Sequence, residues 1–265
     1  MQEAQLMHHM ITRHILHPDI RVTVADKELN YNQICERIDR AKSYLTRERN
    51  VQVGEKVLMI NVIWPGYLIW FLACAELGLE IVESTSFNKI DHVIGNKVHP
   101  SDTIDQFTWK NYPLYETSIL TTKDMILFRD VAGAGHSHEF IHNLMICNAD
   151  KLELNENDAC LHTRTLCHHI YFLPTLHRCK NHHWCQNDEY IDVIQTCDIN
   201  RAIIFQNLFL DVLKKMSPSM RNENLTLYVF GSIPNDVVRH VTEKMQNTIV
   251  SLDDHRWILS QRKYS

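Results

Sequence analysis

Glycine is scarce in this chain, with seven in 265 residues. That is few for an α/β protein whose phosphate-binding loops depend on it, because only glycine lets backbone N–H groups approach an anion closely. There is no excess of positive charge either. A formal net charge of −5 excludes a general binder of nucleic acid or anionic membrane surfaces. The first ten residues, M-Q-E-A-Q-L-M-H-H-M, lack a basic region followed by an apolar run, so no secretory signal is expected and the protein is placed in the cytoplasm. Without a secretion signal, the eight cysteines read as reduced thiols or metal ligands rather than a disulfide framework. No long apolar run is uninterrupted. Residues 57–79 come closest, but Asn61, Trp64-Pro65-Gly66 and Glu76 divide them into a buried strand and a buried helix, not a membrane span.

What is present is ordinary globular material, 45% hydrophobic and 22% charged, with seventeen histidines. The length suffices for one large domain or two small ones. Residues 4–16 suggest a helix ending before Pro18. Residues 22–25 read as a short strand, and Asp26-Lys27 turn into a second. The best-patterned stretch is 28–83. Asn30 with Gln33 forms a capping-box pattern. Tyr31, Ile34, Cys35, Ile38, Ala41 and Leu45 then recur at helical spacing. The basic residues Arg37, Arg40, Lys42, Arg47 and Arg49 lie mainly off that face and read as a solvated surface. Residues 57–63 form a continuous apolar strand, 67–77 a helix stopped by Gly78, and 79–82 the next strand. Strand, helix and strand with short connections make a βαβ unit and predict a parallel sheet.

This order, with V-Q-V-G-E-K-V, W-P and F-L-A-C-A-E-L-G in their places, resembles the N-terminal region of the adenylate-forming superfamily. That group includes acyl-CoA synthetases, aryl-CoA ligases, luciferases and the adenylation domains of peptide synthetases. The resemblance implies an α/β fold of stacked, mostly parallel sheets flanked by helices. It implies a first α/β subdomain over 1–117 and a second over 118–265, with the chain ending before the family's ribose-binding aspartate, hinge and C-terminal domain.

The resemblance also says where chemistry belongs. The strand at 125–128 leads, in the family, into a Ser/Thr/Gly loop ending in Pro-Lys-Gly that wraps the phosphates of ATP. Here the segment reads R-D-V-A-G-A-G-H-S-H-E. Gly133, Gly135, His136 and Ser137 are the candidate phosphate contacts, with Arg129 and His138 as further donors. No lysine follows, and Asp130 and Glu139 add negative charge; a plain glycine turn is the alternative. Helix 140–152, turn 155–158 and strand 159–163 follow in family order. Thr165-Leu166-Cys167-His168 stands where the family has Pro-Leu-aromatic-His, so His168 is the candidate catalytic residue near an acyl pocket, with core packing as the alternative. Later, Gly231-Ser232 after strand 225–230 matches a turn that touches adenine. Asp253-Asp254 stands where the family holds magnesium, though the aromatic-glycine-threonine pattern is gone.

Independently of any family, residues 167–185 hold C-H-H, H-R-C and H-H-W-C. Cys167, His177, Cys179, His182 and Cys185 are candidate zinc ligands, with His168, His169 and His183 beside them. The absence of a C-x-x-C pair leaves a histidine-rich helix and loop on the surface as the alternative. Three functions follow. One is a synthetase-like protein with weak or no adenylation activity that acts in binding or assembly. Another is an ATP-dependent ligase activating a carboxylic acid, completed by a partner chain. The third is metal-dependent chemistry at the Cys/His cluster. ATP or AMP, Mg and zinc are the candidate cofactors. The candidate partners are a carboxylic acid or nucleotide, a second protein, or a second copy of the chain.

Overall fold

The structure is a computed structural model that describes residues 15–24, 27–60, 62–82, 89–95, 103–115, 122–129, 133–163, 169–186, 188–205, 209, 224–230, 233, 239, 248–252 and 262–263. The expected helix over 4–16 lies almost wholly outside them. The strands in chain order are β1 (Arg21–Val24), β2 (Lys27–Asn30), β3 (Lys56–Ile60), β4 (Glu80–Val82), β5 (His92–Gly95), β6 (Thr103–Asp105), β7 (Ile126–Arg129), β8 (Gly135–Ser137), β9 (Ala159–Thr163), β10 (Asn181–Cys185), β11 (Arg201–Phe205), β12 (Thr226–Phe230), β13 (Thr248–Leu252) and β14 (Arg262–Lys263). The described α-helices are α1 (Tyr31–Arg47), α2 (Gly66–Glu76), α3 (His138–Lys151), α4 (His169–Arg178) and α5 (Tyr190–Thr196). The chain falls into two compact units, Met1–Pro18 with Leu29–Met145, and Asp19–Glu28 with Ile146–Ser265. The fold is α/β with mostly parallel sheets flanked by helices, as expected.

The first unit carries a six-stranded sheet in the order β6-β5-β3-β4-β7-β8. Its pairs are parallel except the β7–β8 hairpin. The capping box forms as read. The Asn30 side chain accepts from the Gln33 N–H at 3.0 Å, and the Gln33 side chain accepts from the Asn30 N–H at 3.0 Å. From that start, α1 buries Ile34, Cys35, Ile38, Ala41 and Leu45. Helix α2 differs in kind: all eleven of its residues are buried, which suits a helix apolar on every side. It links β3 to β4, which pair in parallel with Val57 opposite Ile81. Gly78 then takes φ +68°, and a Cβ there would lie 3.2 Å from both Val53 and Met125 side chains, so the helix stop requires glycine.

Two expectations in this unit need correction. Strand β3 stops at Ile60 rather than 63, because the Ile63 N–H leaves the ladder and donates to the Gln106 side chain at 2.7 Å. The same Gln106 accepts the Trp70 indole N–H on its backbone oxygen at 2.9 Å, and so fixes the entry to α2. The basic residues of α1 are also not simply solvated. Lys42 is 2% exposed, and its Nζ lies 2.7 Å from the Glu76 carboxylate of α2 and 3.2 Å from Asp39. Arg40 donates to the Tyr112 carbonyl at 2.7 Å, and Arg47 stacks over the Tyr115 ring at 3.8 Å. An apolar partner helix covers α1 beyond its hydrophobic stripe, so a lysine beside that stripe is enclosed and must bring its own counter-charge.

The second unit carries an eight-stranded sheet ordered β14-β13-β12-β11-β9-β10-β1-β2. Strands β1, β10, β9, β11, β12 and β13 run parallel, and β14 is antiparallel to β13. One face packs Leu161 and Cys185 with Tyr190, Ile194, Ala202, Ile204, Leu227 and Val229. Asp158 ties the start of β9 to that of β11. It accepts from the Asn200 amide at 2.8 Å and pairs with Arg201 at 3.3 Å, while Asn200 accepts the Ala159 N–H at 2.8 Å. Here too the sequence reading needs correction. Residues 181–185, N-H-H-W-C, are not a surface loop but an interior strand between β9 and β1. No described helix is long and apolar enough to cross a membrane.

Candidate functional site

The phosphate-loop candidate is a hairpin. Strand β7 runs to Arg129, and β8 returns antiparallel over Gly135–Ser137 with Arg129 opposite Gly135. Gly133 has φ +86°, a conformation that favours glycine. Its carbonyl accepts from Arg129 Nη1 at 3.2 Å. The same guanidinium donates to the Glu80 carboxylate at 2.7 Å, which raises the Arg129 pKa by that hydrogen bond. Ser137 sits at the N-terminus of α3, where its hydroxyl oxygen accepts the Phe140 N–H at 3.2 Å, as an N-cap does. His136 lies among rings, 5.1 Å from Phe140 and 6.1 Å from Phe128.

His138 does not serve as an exposed donor. It is 1% exposed, neither ring nitrogen has a hydrogen-bond partner among the described residues, and burial pulls its pKa down to about 4. It is therefore a neutral imidazole at pH 7. Arg129 is the sole Lys or Arg between residues 124 and 150, and Glu80 engages it. Among the described residues of this hairpin the glycines that permit close approach are present, and its arginine is already paired with Glu80.

The second family-derived region lies at the carboxyl ends of the parallel strands. Phe205 pairs with Phe230, and Phe230 with Leu252, so β11, β12 and β13 end side by side. Ligands of open parallel sheets bind outside such ends. The candidates that follow these strands and β9, namely Gly231, Ser232, Asp253, Asp254, His168 and Cys167, lie outside the described residues.

The cysteine and histidine candidates part company in the structure. His177 stands half-buried near the end of α4, and Cys179 is buried just after it. On β10, His182 and Cys185 are both buried but occupy opposite faces, because side chains alternate along a strand. Cys185 belongs to the apolar core around Leu161 and Tyr190. His182 instead meets two residues that sequence reasoning left aside, Cys160 and His162 of β9. The register pairs His182 with Cys160 and Trp184 with His162, which sets all four on one face.

Cys160, His162 and His182 bring one ligand atom each to within 4.8 Å of one another, all of them buried. His182 Nδ1 lies 3.4 Å from His162 Nε2, and His182 Nε2–H donates to the Cys179 carbonyl at 3.0 Å. The ring centres are 5.6 Å apart with planes inclined by 20°. The facing nitrogens are closer than the centres by about two ring radii, so the imidazoles meet edge to edge through nitrogen. Thr175 Oγ1, from α4, is 3.4 Å from the same Nε2 and donates to the Phe172 carbonyl at 2.7 Å. The Trp184 indole stacks on His162 at 4.1 Å. Burial lowers the His162 pKa far below the usual range, and the His182 and His183 rings add to this. Burial pushes the Cys160 thiol well up, aided by its hydrogen bond with the Cys179 thiol. The one signal in the sequence was the alternation A-C-L-H-T, which puts Cys160 and His162 on one side of a strand.

No protein-family model matches the chain, and no curated protein matches it at a significant level. Solved structures do. The unliganded O-succinylbenzoate coenzyme A synthetase MenE of Bacillus subtilis superposes with a TM-score of 0.78 at 12% identity, over 93% of this chain and 59% of that one. The N-terminal domain of FACL13 from Mycobacterium tuberculosis gives 0.73 at 14%, over 89% and 72%. The N-terminal subdomain of Klebsiella oxytoca NpsA, in complex with 3-hydroxyanthranilyl-AMSN, gives 0.69 at 14%, over 89% and 69%. The chain thus spans about three-fifths of the MenE chain and shares the fold of the N-terminal subdomains of adenylate-forming enzymes.

Proposed function

We propose that this protein is an AMP-dependent synthetase/ligase-like scaffold with weak or no adenylation activity, working as a binding or assembly protein. One observation carries the reading: the Glu80–Arg129 pair at 2.7 Å. Catalysis of acyl-adenylate formation rests on charge stabilisation at the phosphates. A hairpin whose cation is already neutralised, with Asp130 and Glu139 beside it in the sequence, supplies little of it. The fold supports the binding half of the proposal, since NpsA's N-terminal subdomain alone holds 3-hydroxyanthranilyl-AMSN. A nucleotide or carboxylic acid is the ligand class that this likeness suggests.

The alternative is an ATP-dependent ligase of acyl-CoA synthetase type that activates a carboxylic acid, with a partner chain completing it. The aligned carboxyl ends of β11, β12 and β13 favour it, because Gly231-Ser232 and Asp253-Asp254 follow two of those ends in the sequence. It assigns ATP or AMP to that edge, Mg to Asp253 and Asp254, and acid-pocket contact to His168. Calorimetry with ATP and with AMP, followed by pyrophosphate exchange over a panel of carboxylic acids, separates the two. The scaffold reading expects no exchange signal; exchange above background that a His168→Ala variant loses establishes the ligase instead.

A further inference from the structure

We infer that Cys160, His162, His182 and Cys179 form a structural zinc site that joins β9, β10 and the end of α4. The argument begins with hydrogen bonding. Buried polar side chains almost always have well-formed partners, and exceptions call for an ion or water. His162 falls short of this: among the described residues its Nδ1 has no partner, and its Nε2 has two contacts, both at 3.4 Å, with His182 Nδ1 and Thr175 Oγ1. Both exceed the 2.7–3.2 Å range of a normal N–H hydrogen bond.

The donor set suits zinc. Two imidazole nitrogens and one sulfur lie within 4.8 Å of one another, and the Cys179 thiol adjoins that of Cys160. Together they make the Cys₂His₂ set of structural sites. Zinc–nitrogen bonds in a tetrahedron set two nitrogens about 3.3 Å apart, and the observed separation is 3.4 Å. Zinc–sulfur and zinc–nitrogen bonds set sulfur and nitrogen about 3.6 Å apart, so closing the cluster on a cation needs roughly 1 Å of side-chain movement. The two lone pairs now face each other, and each imidazole must turn by roughly 35° for them to meet at a common point at zinc–nitrogen distance.

The surroundings also match. His182 donates its outer N–H to the Cys179 carbonyl at 3.0 Å. That contact fixes the tautomer which leaves Nδ1 as a lone pair facing inward, the arrangement found behind metal-bound histidines. Trp184, stacked on His162, offers its π-face to a ring that gains positive character on metal binding. Cys160, His162 and His182 are all fully buried, so the site has no open coordination position for chemistry. It would be filled as the chain folds.

The test is metal content and cobalt spectroscopy on the full chain. Protein expressed with zinc, purified and dialysed against chelator should hold one zinc per chain. Protein produced with cobalt(II) should show tetrahedral visible bands and thiolate-to-cobalt charge transfer in the near ultraviolet. Cys160→Ser should weaken the charge-transfer band, and His182→Gln should lower metal content by about tenfold or more. Cys185→Ser, on the opposite face of β10, should leave both unchanged. Wild-type protein holding less than about a tenth of an equivalent of either metal overturns the inference, whether or not the variants fold. So does a cobalt spectrum that Cys160→Ser and His182→Gln both leave intact in folded protein.

Discussion

Replacing Lys42 by methionine should be among the most damaging single changes in the first unit. Its ammonium and the Glu76 carboxylate are 2.7 Å apart, with exposures of 2% and 0%. At that distance, with an effective dielectric constant near 20, their gross attraction is about 6 kcal/mol. Much of it offsets the cost of removing two charges from water. Lys42→Met keeps the hydrocarbon volume but leaves Glu76 buried without its cation. Loss of one partner of such a pair typically destabilises by about 3–5 kcal/mol. Asp39, 30% exposed, is water-facing and changes this little. The double variant Lys42→Met/Glu76→Leu removes both charges, and should return to within about 1 kcal/mol of the parent or exceed it. Urea unfolding followed by tryptophan fluorescence reads this directly, since Trp70 is buried in the same helix as Glu76. The double-mutant cycle should give a coupling of about 3 kcal/mol. A single variant that loses less than about 1 kcal/mol, or a double variant as unstable as the sum of the singles, refutes the reasoning.

Acid should weaken the fold through His138. Its folded pKa of about 4 lies below the unfolded value of about 6.5, so the neutral form is favoured in the fold. That contribution is complete above pH 6.5 and is lost as pH falls from 6.5 through 4, up to roughly 3 kcal/mol; His138→Leu should flatten the stability–pH curve across that window. Glu80→Gln releases Arg129 and should raise the affinity of the hairpin for inorganic phosphate or ATP by about tenfold in calorimetry; no gain would show that Arg129 is not what limits anion binding there. Gly95→Ala places a Cβ 2.5 Å from the Ile60 carbonyl oxygen. It should cost about 1–3 kcal/mol in chemical unfolding, because the neighbour is backbone and cannot step aside.

What the sequence disclosed and what it hid follow one physical line. Signals between near neighbours were readable: the Asn30–Gln33 capping box, the Gly78 stop, and β9, whose five residues were bounded correctly. The βαβ order of β3, α2 and β4 was readable because apolar runs and a Pro-Gly break suffice to define it. Contacts set by sheet register were not. Cys160 and His182 are separated by 22 residues in sequence and meet because β9 and β10 pair in parallel. Lys42 looked like surface because its counter-ion sits on another helix. Residues 181–185 looked like a loop because two histidines and an asparagine mask an interior strand. The hairpin candidates were read without the carboxylate that engages Arg129, because Glu80 comes from strand β4, far back in the chain.

Helix α2 has no side that faces water. An element of this kind has no stable existence on its own, since every face it would expose is apolar. Its backbone amides can therefore exchange with solvent only when the surrounding unit comes apart, and they report the global free energy of that unit rather than any local fraying. The same property makes the unit all-or-none. No partly open form can release α2 and keep the part of the sheet that it covers.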